Sequence, residues 1–182
     1  MNEPRTDRRA AWIDWGIAAV VALLALVVLA VLPRFGPKAH RSVGAAAPDF
    51  ALPVVENGDA GARIALADLR GEAVLIDFWA SWCGPCTVQA PIVDRIGKRY
   101  ASRGLHVLGI NVDDPPNVAR SHARKLGVSY PILLDAMGDV QAAYGVNRLP
   151  SLVVVDRAGN VTAFTSGVVD EDALDRMVRE AL

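Results

Sequence analysis

The sequence contains only two cysteines among its 182 residues. Two cysteines are too few for a miniprotein stapled by several disulfides or for a four-cysteine zinc site. Charged residues make up only 21% of the chain against 52% hydrophobic residues, which excludes a largely disordered protein. The formal net charge is −1, so no overall basic field indicates a nucleic-acid partner. The length leaves room for one domain and a short extension.

Charged and strongly polar side chains are absent from residues 16–32, an apolar run of 17 residues. A helix of this length spans roughly 26 Å, slightly less than the bilayer core of about 30 Å. Trp12 and Trp15 lie where the aromatic belt of a membrane helix is expected, and Pro33 ends the run. We therefore predict a transmembrane signal anchor at 16–32, preceded by a short cytoplasmic tail at 1–15.

A cleaved signal peptide is the alternative interpretation of this segment, because Arg5, Arg8 and Arg9 precede the apolar run. However, no small-residue cleavage site follows Leu32 closely, since the alanines at 45–47 begin 13 residues later. Basic residues are equally numerous on the two sides of the run, so the positive-inside rule does not set the orientation. The free terminal amine favours an N-terminus on the cytoplasmic side.

Residues 33–47 contain proline, glycine and alanine and predict a linker, which leaves 48–182 as a folded head. Apolar runs in the head predict strands at 73–80, 106–112, 130–134, 151–156 and 161–166, the last two forming a hairpin. Helices are predicted at 85–102, at 117–126 with Asn117 as its cap, at 139–144, and after a cap at Asp170. This order of strands and helices predicts a mixed α/β sheet that is covered on both faces.

The two cysteines, Cys83 and Cys86, lie where the first of these strands gives way to the first helix. Residues three apart at a helix start share one face, so their sulfurs can bond without backbone movement. Cys83 would face the unpaired N–H groups and the positive end of the helix dipole, which favour its thiolate. We therefore predict that Cys83 is the nucleophile and that Cys86, one turn deeper, is the resolving thiol. Pro85 suits the first turn because it has no N–H to lose.

Two other roles of the cysteine pair, a structural disulfide and a metal site, are disfavoured. A purely structural disulfide across three residues would close almost no loop and would stabilise the fold little. A metal site would need two further ligands, which the three histidines do not supply in any recognisable pattern. No histidine or lysine lies between the cysteines, so the pair is expected to be a reductant rather than a strong oxidant.

A family resemblance strengthens this interpretation. The segment from Asp77 to Cys86 (DFWASWCGPC), followed by Ala90-Pro91, resembles the active-site signature of thioredoxins. Leu149-Pro150, followed by the predicted strand SLVVVD, is similar to the cis-proline loop of that family. The residues at 47–50 and 66–71, with an extra strand and helix between 113 and 145, resemble the TlpA/ResA-type redoxin branch. The implied architecture is a thioredoxin-like α/β fold with an N-terminal extension and a central insertion.

The resemblance implies roles for individual residues and for partners. Cys83 would attack the substrate disulfide, Cys86 would resolve the mixed disulfide, and Asp77 would be a buried carboxylate that accepts the Cys86 proton. The client protein would contact Trp82, Gly84, Pro85, Leu149 and Pro150, with Pro150 in the cis form. No cofactor or metal is implied. Members of this branch are membrane-anchored thiol–disulfide oxidoreductases outside the cytoplasm, so disulfide-containing client proteins are the expected substrates. That compartment has no thioredoxin reductase by default, so we expect a membrane electron donor to re-reduce the cysteine pair.

Three positions depart from the family pattern and bear on the client. Thioredoxins often place a lysine near the buried acid, where this chain has Gly109, so proton handling is expected to differ. ResA-type proteins often have a glutamate where this chain has Gln89, and cytochrome c maturation members often have an acidic residue at the position of Ser151. Both departures weaken an assignment to apocytochrome c reduction, so the client could equally be a respiratory oxidase subunit or a broader set of proteins.

Three other functions remain as alternatives. A thiol peroxidase of the peroxiredoxin type would have Thr or Ser three residues before its cysteine, where this chain has Ala80. A copper-handling assembly factor for respiratory oxidase would place Met or His near the cysteines, and Met137 and Met177 are distant in sequence. A non-catalytic interaction module is difficult to reconcile with an intact Cys-Gly-Pro-Cys motif.

Overall fold

The structure, a computed structural model, describes residues 20–26, 42–59 and 61–182. The chain divides into two units, Met1–Lys38 and Ala39–Leu182. In the first unit, residues 20–26 are helical and their large apolar side chains are exposed. Within the described ranges, no helix is both long and apolar enough to cross a bilayer. The rest of the predicted anchor and the first part of the predicted linker, 33–41, lie outside the described residues.

The second unit contains one sheet of seven strands among its described residues. The strands are β1 (Ala51–Glu56), β2 (Arg63–Ala65), β3 (Ala73–Trp79), β4 (Leu105–Val112), β5 (Ile132–Asp135), β6 (Ser151–Val155) and β7 (Val161–Ser166). The α-helices are α1 (Gly84–Tyr100), α2 (Pro116–Leu126), α3 (Asp139–Ala143) and α4 (Glu171–Ala181). Short 3-10 helices follow β2 at Leu66–Leu69 and α1 at Ala101–Arg103.

The strand order across the sheet is β2-β1-β5-β4-β3-β6-β7. The pairs β3–β4 and β4–β5 are parallel, and the remaining pairs are antiparallel. The two parallel crossovers step in the same direction, so right-handed connections place α1 and α2 on one face. Helix α1 contacts both α2 and α4. The β3–β4 pair therefore lies at the centre of the sheet and under this helical layer.

The opposite face of the sheet is also covered. Successive residues of a strand point to opposite faces, so Phe78 points away from its neighbour Asp77. The ring centroid of Phe78 lies 5.6 Å from that of Tyr144, and Tyr144 lies 6.4 Å from Phe50. The residues just after α3 and just before β1 thus pack on this face. Both faces are covered, as the sequence predicts for a mixed α/β sheet.

The boundaries of several elements differ from the sequence-based predictions. The sequence pattern does not predict β1 and β2, and Pro53 inside β1 argues against a strand because proline cannot donate to a ladder. Helix α2 begins one residue earlier than predicted, and Pro115 occupies its N-cap without a side-chain cap bond. The prediction that Asn117 caps this helix is therefore wrong. The predicted cap at Asp170 is confirmed, because its carboxylate accepts from the N–H of Ala173 at 2.7 Å.

The folded head begins earlier than residue 48. The N–H of Gly44 donates to the carbonyl of Val161 at 2.8 Å, and the N–H of Ala47 donates to the carbonyl of Gly159 at 2.9 Å. Ala46 forms an isolated bridge with Asn160, and Ala47 is buried. These backbone hydrogen bonds attach residues 44–47, the end of the predicted linker, to the start of β7.

Candidate active site

Cys83 and Cys86 lie at the junction of β3 and α1, as predicted. They form a disulfide with an S–S distance of 2.00 Å and a Cα–Cα distance of 5.3 Å. Cys83 is the N-cap of α1, and its Sγ accepts from the backbone N–H of Cys86 at 3.2 Å. A sulfur at this position faces the unpaired donors of the first helical turn, which stabilise a thiolate better than a thiol. Pro85 lies in that first turn, where the missing N–H costs nothing.

The two sulfurs differ in access rather than in overall burial. In the disulfide form, Cys83 is 5% exposed and Cys86 is 2% exposed. However, Cys83 forms part of the wall of an open groove of about 410 Å³, and Cys86 does not. Trp82 at the rim of this groove is 64% exposed. The remaining lining residues are Gly84, Pro85, Asp113, Gln141, Asn147, Arg148 and Leu149. A partner that enters the groove thus meets Cys83 first.

The loop opposite Cys83 carries a cis peptide bond between Leu149 and Pro150, as the resemblance implies. The carbonyl of Pro150 accepts from the N–H of Gly167 at 2.8 Å. The hydroxyl of Ser151 donates to the carbonyl of Arg148 at 2.8 Å and shares a second hydrogen bond of 2.8 Å with Ser166. These bonds fasten the loop to β7, and Leu149 lines the groove that also contains Cys83.

The segment before Cys83 is held by Asp114, a residue that the sequence analysis does not identify. Its carboxylate accepts from the N–H of Ser81 at 2.7 Å, from the Ser81 hydroxyl at 2.7 Å and from the Asn111 amide at 2.8 Å. The signal in the sequence is a pair of polar residues directly after an apolar strand. Because β3 and β4 are parallel, their carboxyl ends meet at one edge, which brings Asp114 to Ser81.

Asp77 lies in the middle of β3 and is 1% exposed, so the prediction that this carboxylate is buried is confirmed. Burial raises its pKa from 3.8 to about 7, because desolvation penalises the charged form. The hydroxyl of Tyr130 donates to Asp77 Oδ2 at 3.1 Å and opposes this increase. Gly109 of β4 is the direct neighbour of Asp77 in the parallel register, which agrees with the position that the family resemblance implies for it. The sequence pattern alone does not identify Tyr130 as a partner.

Gln89 occupies the position where ResA-type proteins often have a glutamate. It lies on α1 and is fully buried, and its Oε1 accepts from the N–H of Val169 at 2.7 Å. This hydrogen bond connects α1 to the segment that precedes α4. The amide therefore has a structural partner, and the site carries no charge at this position.

Comparisons with known proteins agree with this geometry. Residues 43–164 match the model of the AhpC/TSA family. The chain is similar to the thiol-disulfide oxidoreductase ResA of Geobacillus kaustophilus, with 30% identity over 160 residues that cover 87% of this chain and 90% of the relative. ResA of Bacillus subtilis is 31% identical over 140 residues, which cover 77% of this chain and 76% of the relative.

A solved structure is similar as well. A thiol:disulfide interchange protein of the thioredoxin family from Chlorobium tepidum superposes with a TM-score of 0.66 and 28% sequence identity. The match covers 80% of this chain and 99% of that chain. Nearly all of that chain therefore shares the fold of this one.

Replacing Asp77 with Asn should stabilise the oxidised protein at high pH but not at low pH. The folded pKa of Asp77 is about 7 against 3.8 in the unfolded chain, so the wild type loses stability as the pH rises between these values. The Asn variant has no proton to lose there, and its free energy of unfolding should exceed that of the wild type by about 4 kcal/mol at pH 9. Urea unfolding at pH 4 and pH 9 measures this difference.

The exposed Asp113→Asn variant is the control for this measurement, since the same chemical change there should have little effect at either pH. An equal effect of Asp77→Asn at pH 4 and pH 9 would show that the Asp77 pKa is not raised in the folded protein.

Replacing Asp114 with Asn should destabilise the loop before Cys83. The N–H groups of Ser81 and Asn111 share Oδ2 of the carboxylate, and the Ser81 hydroxyl donates to Oδ1. A neutral amide has one acceptor oxygen and no charge, so these donors lose a charged acceptor and one of the two oxygens is no longer available. The expected loss is about 2 kcal/mol in the free energy of unfolding, measured by urea denaturation of the oxidised protein at pH 7. The neighbouring Asp113→Asn variant carries the same charge change on an exposed residue and should be near neutral. Equal values for the two variants would contradict a structural role for the Asp114 carboxylate.

Proposed function

This chain belongs to the AhpC/TSA family and is a thiol–disulfide oxidoreductase of the thioredoxin superfamily, and we propose that it reduces disulfides in client proteins outside the cytoplasmic membrane. The observation that carries the proposal is the arrangement around Cys83. Its sulfur caps a helix N-terminus and lines an open groove whose other side is formed by the cis Leu149–Pro150 loop. A thiolate in that position can reach an extended client, and the reaction requires no cofactor.

The reaction proceeds by two thiol–disulfide exchanges. The Cys83 thiolate attacks one sulfur of the client disulfide, a mixed disulfide forms, and the other client sulfur leaves as a thiolate. The Cys86 thiolate then attacks Cys83 Sγ, which releases the second client thiolate and forms the Cys83–Cys86 disulfide. Two electrons pass to the client in each cycle. The disulfide seen in the structure corresponds to the end of this sequence.

Asp77 accepts the proton of Cys86 in the second exchange. Its carboxylate lies on β3, six residues before Cys83, and both Asp77 and Cys86 are buried. A base is most effective when its pKa lies near the working pH, and burial raises the pKa of Asp77 to about 7. An unperturbed carboxylate would be too weak a base for a thiol. The burial of Asp77 thus supports a role in the second exchange, in which Cys86 resolves the mixed disulfide, rather than in the attack of Cys83 on the client.

The oxidised pair must be reduced again before another turnover. A membrane-bound electron donor serves this purpose in our proposal, since the apolar segment 16–32 would keep the head beside the membrane. The proposed clients are disulfide-containing proteins of the cytochrome c or respiratory oxidase maturation type, and Gln89 and Ser151 weigh against apocytochrome c among them. In this proposal the client contacts Trp82, Gly84, Pro85 and Leu149, which line the groove, together with Pro150, the buried residue that follows Leu149.

Cys86→Ser should accumulate long-lived mixed disulfides with client proteins, because no internal thiol remains to release the adduct from Cys83. Cys83→Ser should trap few clients and be inactive, since Cys86 does not line the groove. Non-reducing electrophoresis of membranes after thiol blocking measures the amount of mixed disulfide that each variant traps. The double serine variant provides the background. Equal trapping by the two single variants would show that the assigned roles are wrong. Peroxide consumption by the dithiol without trapped clients would favour the thiol peroxidase alternative.

The head should lie outside the cytoplasmic membrane. The apolar run at 16–32 motivates this prediction, with the N-terminus inside. A reporter that is active only outside the membrane, fused after Leu182, should be active, and a cytoplasm-specific reporter at the same site should be silent. The reverse pattern would place the head in the cytoplasm and would remove the need for a membrane electron donor.

A further inference from the structure

A side chain at position 109 of β4 would force its neighbours to move. Gly109 lies directly beside Asp77 in the parallel register. A Cβ on residue 109 would lie 2.7 Å from Ile132 Cδ1, 2.8 Å from Tyr130 Cε2 and 3.2 Å from Trp79 Nε1. The first two distances are shorter than real carbon contacts allow. The space next to Asp77 that a residue on β4 would normally fill is therefore taken by neighbouring side chains, and the ring of Tyr130 is one of them.

Tyr130 reaches the buried acid through this space. It is 7% exposed, and its hydroxyl donates to Asp77 Oδ2 at 3.1 Å. The other carboxylate oxygen, Oδ1, is buried and makes no hydrogen bond within the described part of the chain. The tyrosine hydroxyl is thus the hydrogen-bond donor that the structure provides for a carboxylate removed from water.

The backbone that carries Tyr130 is fixed from two sides. The N–H and the hydroxyl of Ser129 both donate to Asp94 Oδ1, at 2.8 and 2.7 Å. The amide of Asn57 donates to the carbonyl of Val128 at 2.7 Å and to that of Tyr130 at 3.0 Å. Helix α1 and the residue after β1 therefore hold the segment 128–130 in place. The ring is positioned by these bonds and by the missing side chain at Gly109, so its hydroxyl has little freedom to leave Asp77.

We infer that Tyr130 is a positioning residue for the reaction proposed above: its hydroxyl holds the Asp77 carboxylate in its ionised form, so that Asp77 can accept the Cys86 proton near neutral pH. The inference rests on the proposed function, because it assigns Tyr130 a role through Asp77. A hydrogen bond to the charged form of an acid favours ionisation, whereas burial opposes it. Burial and the negative charge of Asp77 raise the pKa of Tyr130 well above its ordinary value, so the phenol stays protonated and acts as a donor.

Other ionisable groups near this pair have their own partners or lie farther along the strand. On α1, Asp94 faces Tyr130 and forms an ion pair with Lys98. On α2, His122 stacks on Trp79, two residues beyond Asp77 on β3. The neighbours of Asp77 on β4 and β6 are Gly109 and Leu152, neither of which titrates. Cys86 on α1 is bonded to Cys83 in the oxidised state. Tyr130 is therefore the group whose removal changes the environment of Asp77 most directly.

The test removes the Tyr130 hydroxyl and follows Asp77 directly. In the full-length oxidised chain in detergent, the infrared band of the protonated Asp77 carboxyl, assigned by its loss in Asp77→Asn, is titrated with pH. Tyr130→Phe should move the midpoint to higher pH by about one unit, as expected for the loss of one hydrogen bond to a charged group. The rate at which Cys86 releases a thiol peptide from a mixed disulfide at Cys83 should fall about fivefold at pH 7 and change little at pH 9.

Two further variants sharpen this test. Tyr144→Phe is the matched control, because its hydroxyl donates to the carbonyl of Pro48 on the opposite face of the sheet and should leave both measurements unchanged. Gly109→Ala keeps the Tyr130 hydroxyl but displaces the ring, so it should move the midpoint in the same direction as Tyr130→Phe. In a background of Asp77→Asn, Tyr130→Phe should no longer affect the pH dependence of peptide release.

The outcomes separate this inference from the proposed function. An unchanged Asp77 midpoint in Tyr130→Phe overturns the inference, and so does an equal change in Tyr144→Phe. A midpoint that moves while the pH dependence of peptide release stays the same shows that Asp77 does not serve as the base, which refutes the proposed role of Asp77 and leaves the hydrogen bond as a structural one. If Tyr130→Phe changes both the Asp77 titration midpoint and the rate of peptide release, the result supports the role of Tyr130 and the proposed role of Asp77.

Discussion

Strand β3 is flanked by β4 on one side and β6 on the other, and none of its seven residues is exposed. This burial has two consequences for the chemistry. It removes water from Asp77 in the middle of the strand, which raises the pKa of that carboxyl into the neutral range. The pairing of β3 on both sides also fixes its carboxyl end, so residues 80–83 leave the sheet in a defined direction. One strand thus controls both a buried acid and the position of the dithiol.

The rest of the site is assembled from segments that are far apart in sequence. The carboxyl ends of β3 and β4 meet at one edge, where Asp114 holds the loop before Cys83. The cis Leu149–Pro150 loop enters the same edge from the antiparallel strand β6. The result is a groove lined by Leu149 of one loop and by Cys83 of another. The backbone N–H of Cys86 donates to the Cys83 sulfur, and the positive end of the helix dipole favours a negative charge there.

Helix α1 must be held firmly because it carries both cysteines. Ion pairs connect it to α4, from Arg95 and Arg99 to Glu171 and from Arg99 to Asp175. The arginines are about half exposed, and ion pairs of this kind contribute little to stability. The hydrogen bond from the N–H of Val169 to the fully buried Gln89 is partly buried and meets less competition from water. The apolar contacts and this bond therefore determine the position of α1, and the surface charges add little.

The sequence by itself determined the β3–α1 junction, the place of the cysteine pair at that junction and the mixed α/β sheet, because these depend on local pattern: an apolar run, a helix start and a three-residue spacing. It also indicated that Asp77 is buried, since the residues around it are all apolar. It did not reveal strands β1 and β2, where Pro53 obscures the pattern, nor the roles of Asp114 and Tyr130. Those two residues act on Ser81 and Asp77 across 33 and 53 positions of the chain. Only the parallel pairing of β3 with β4, and of β4 with β5, brings them together. Parallel strands are joined by long crossovers, so the contacts between them are made in the tertiary structure and are not visible in the local sequence.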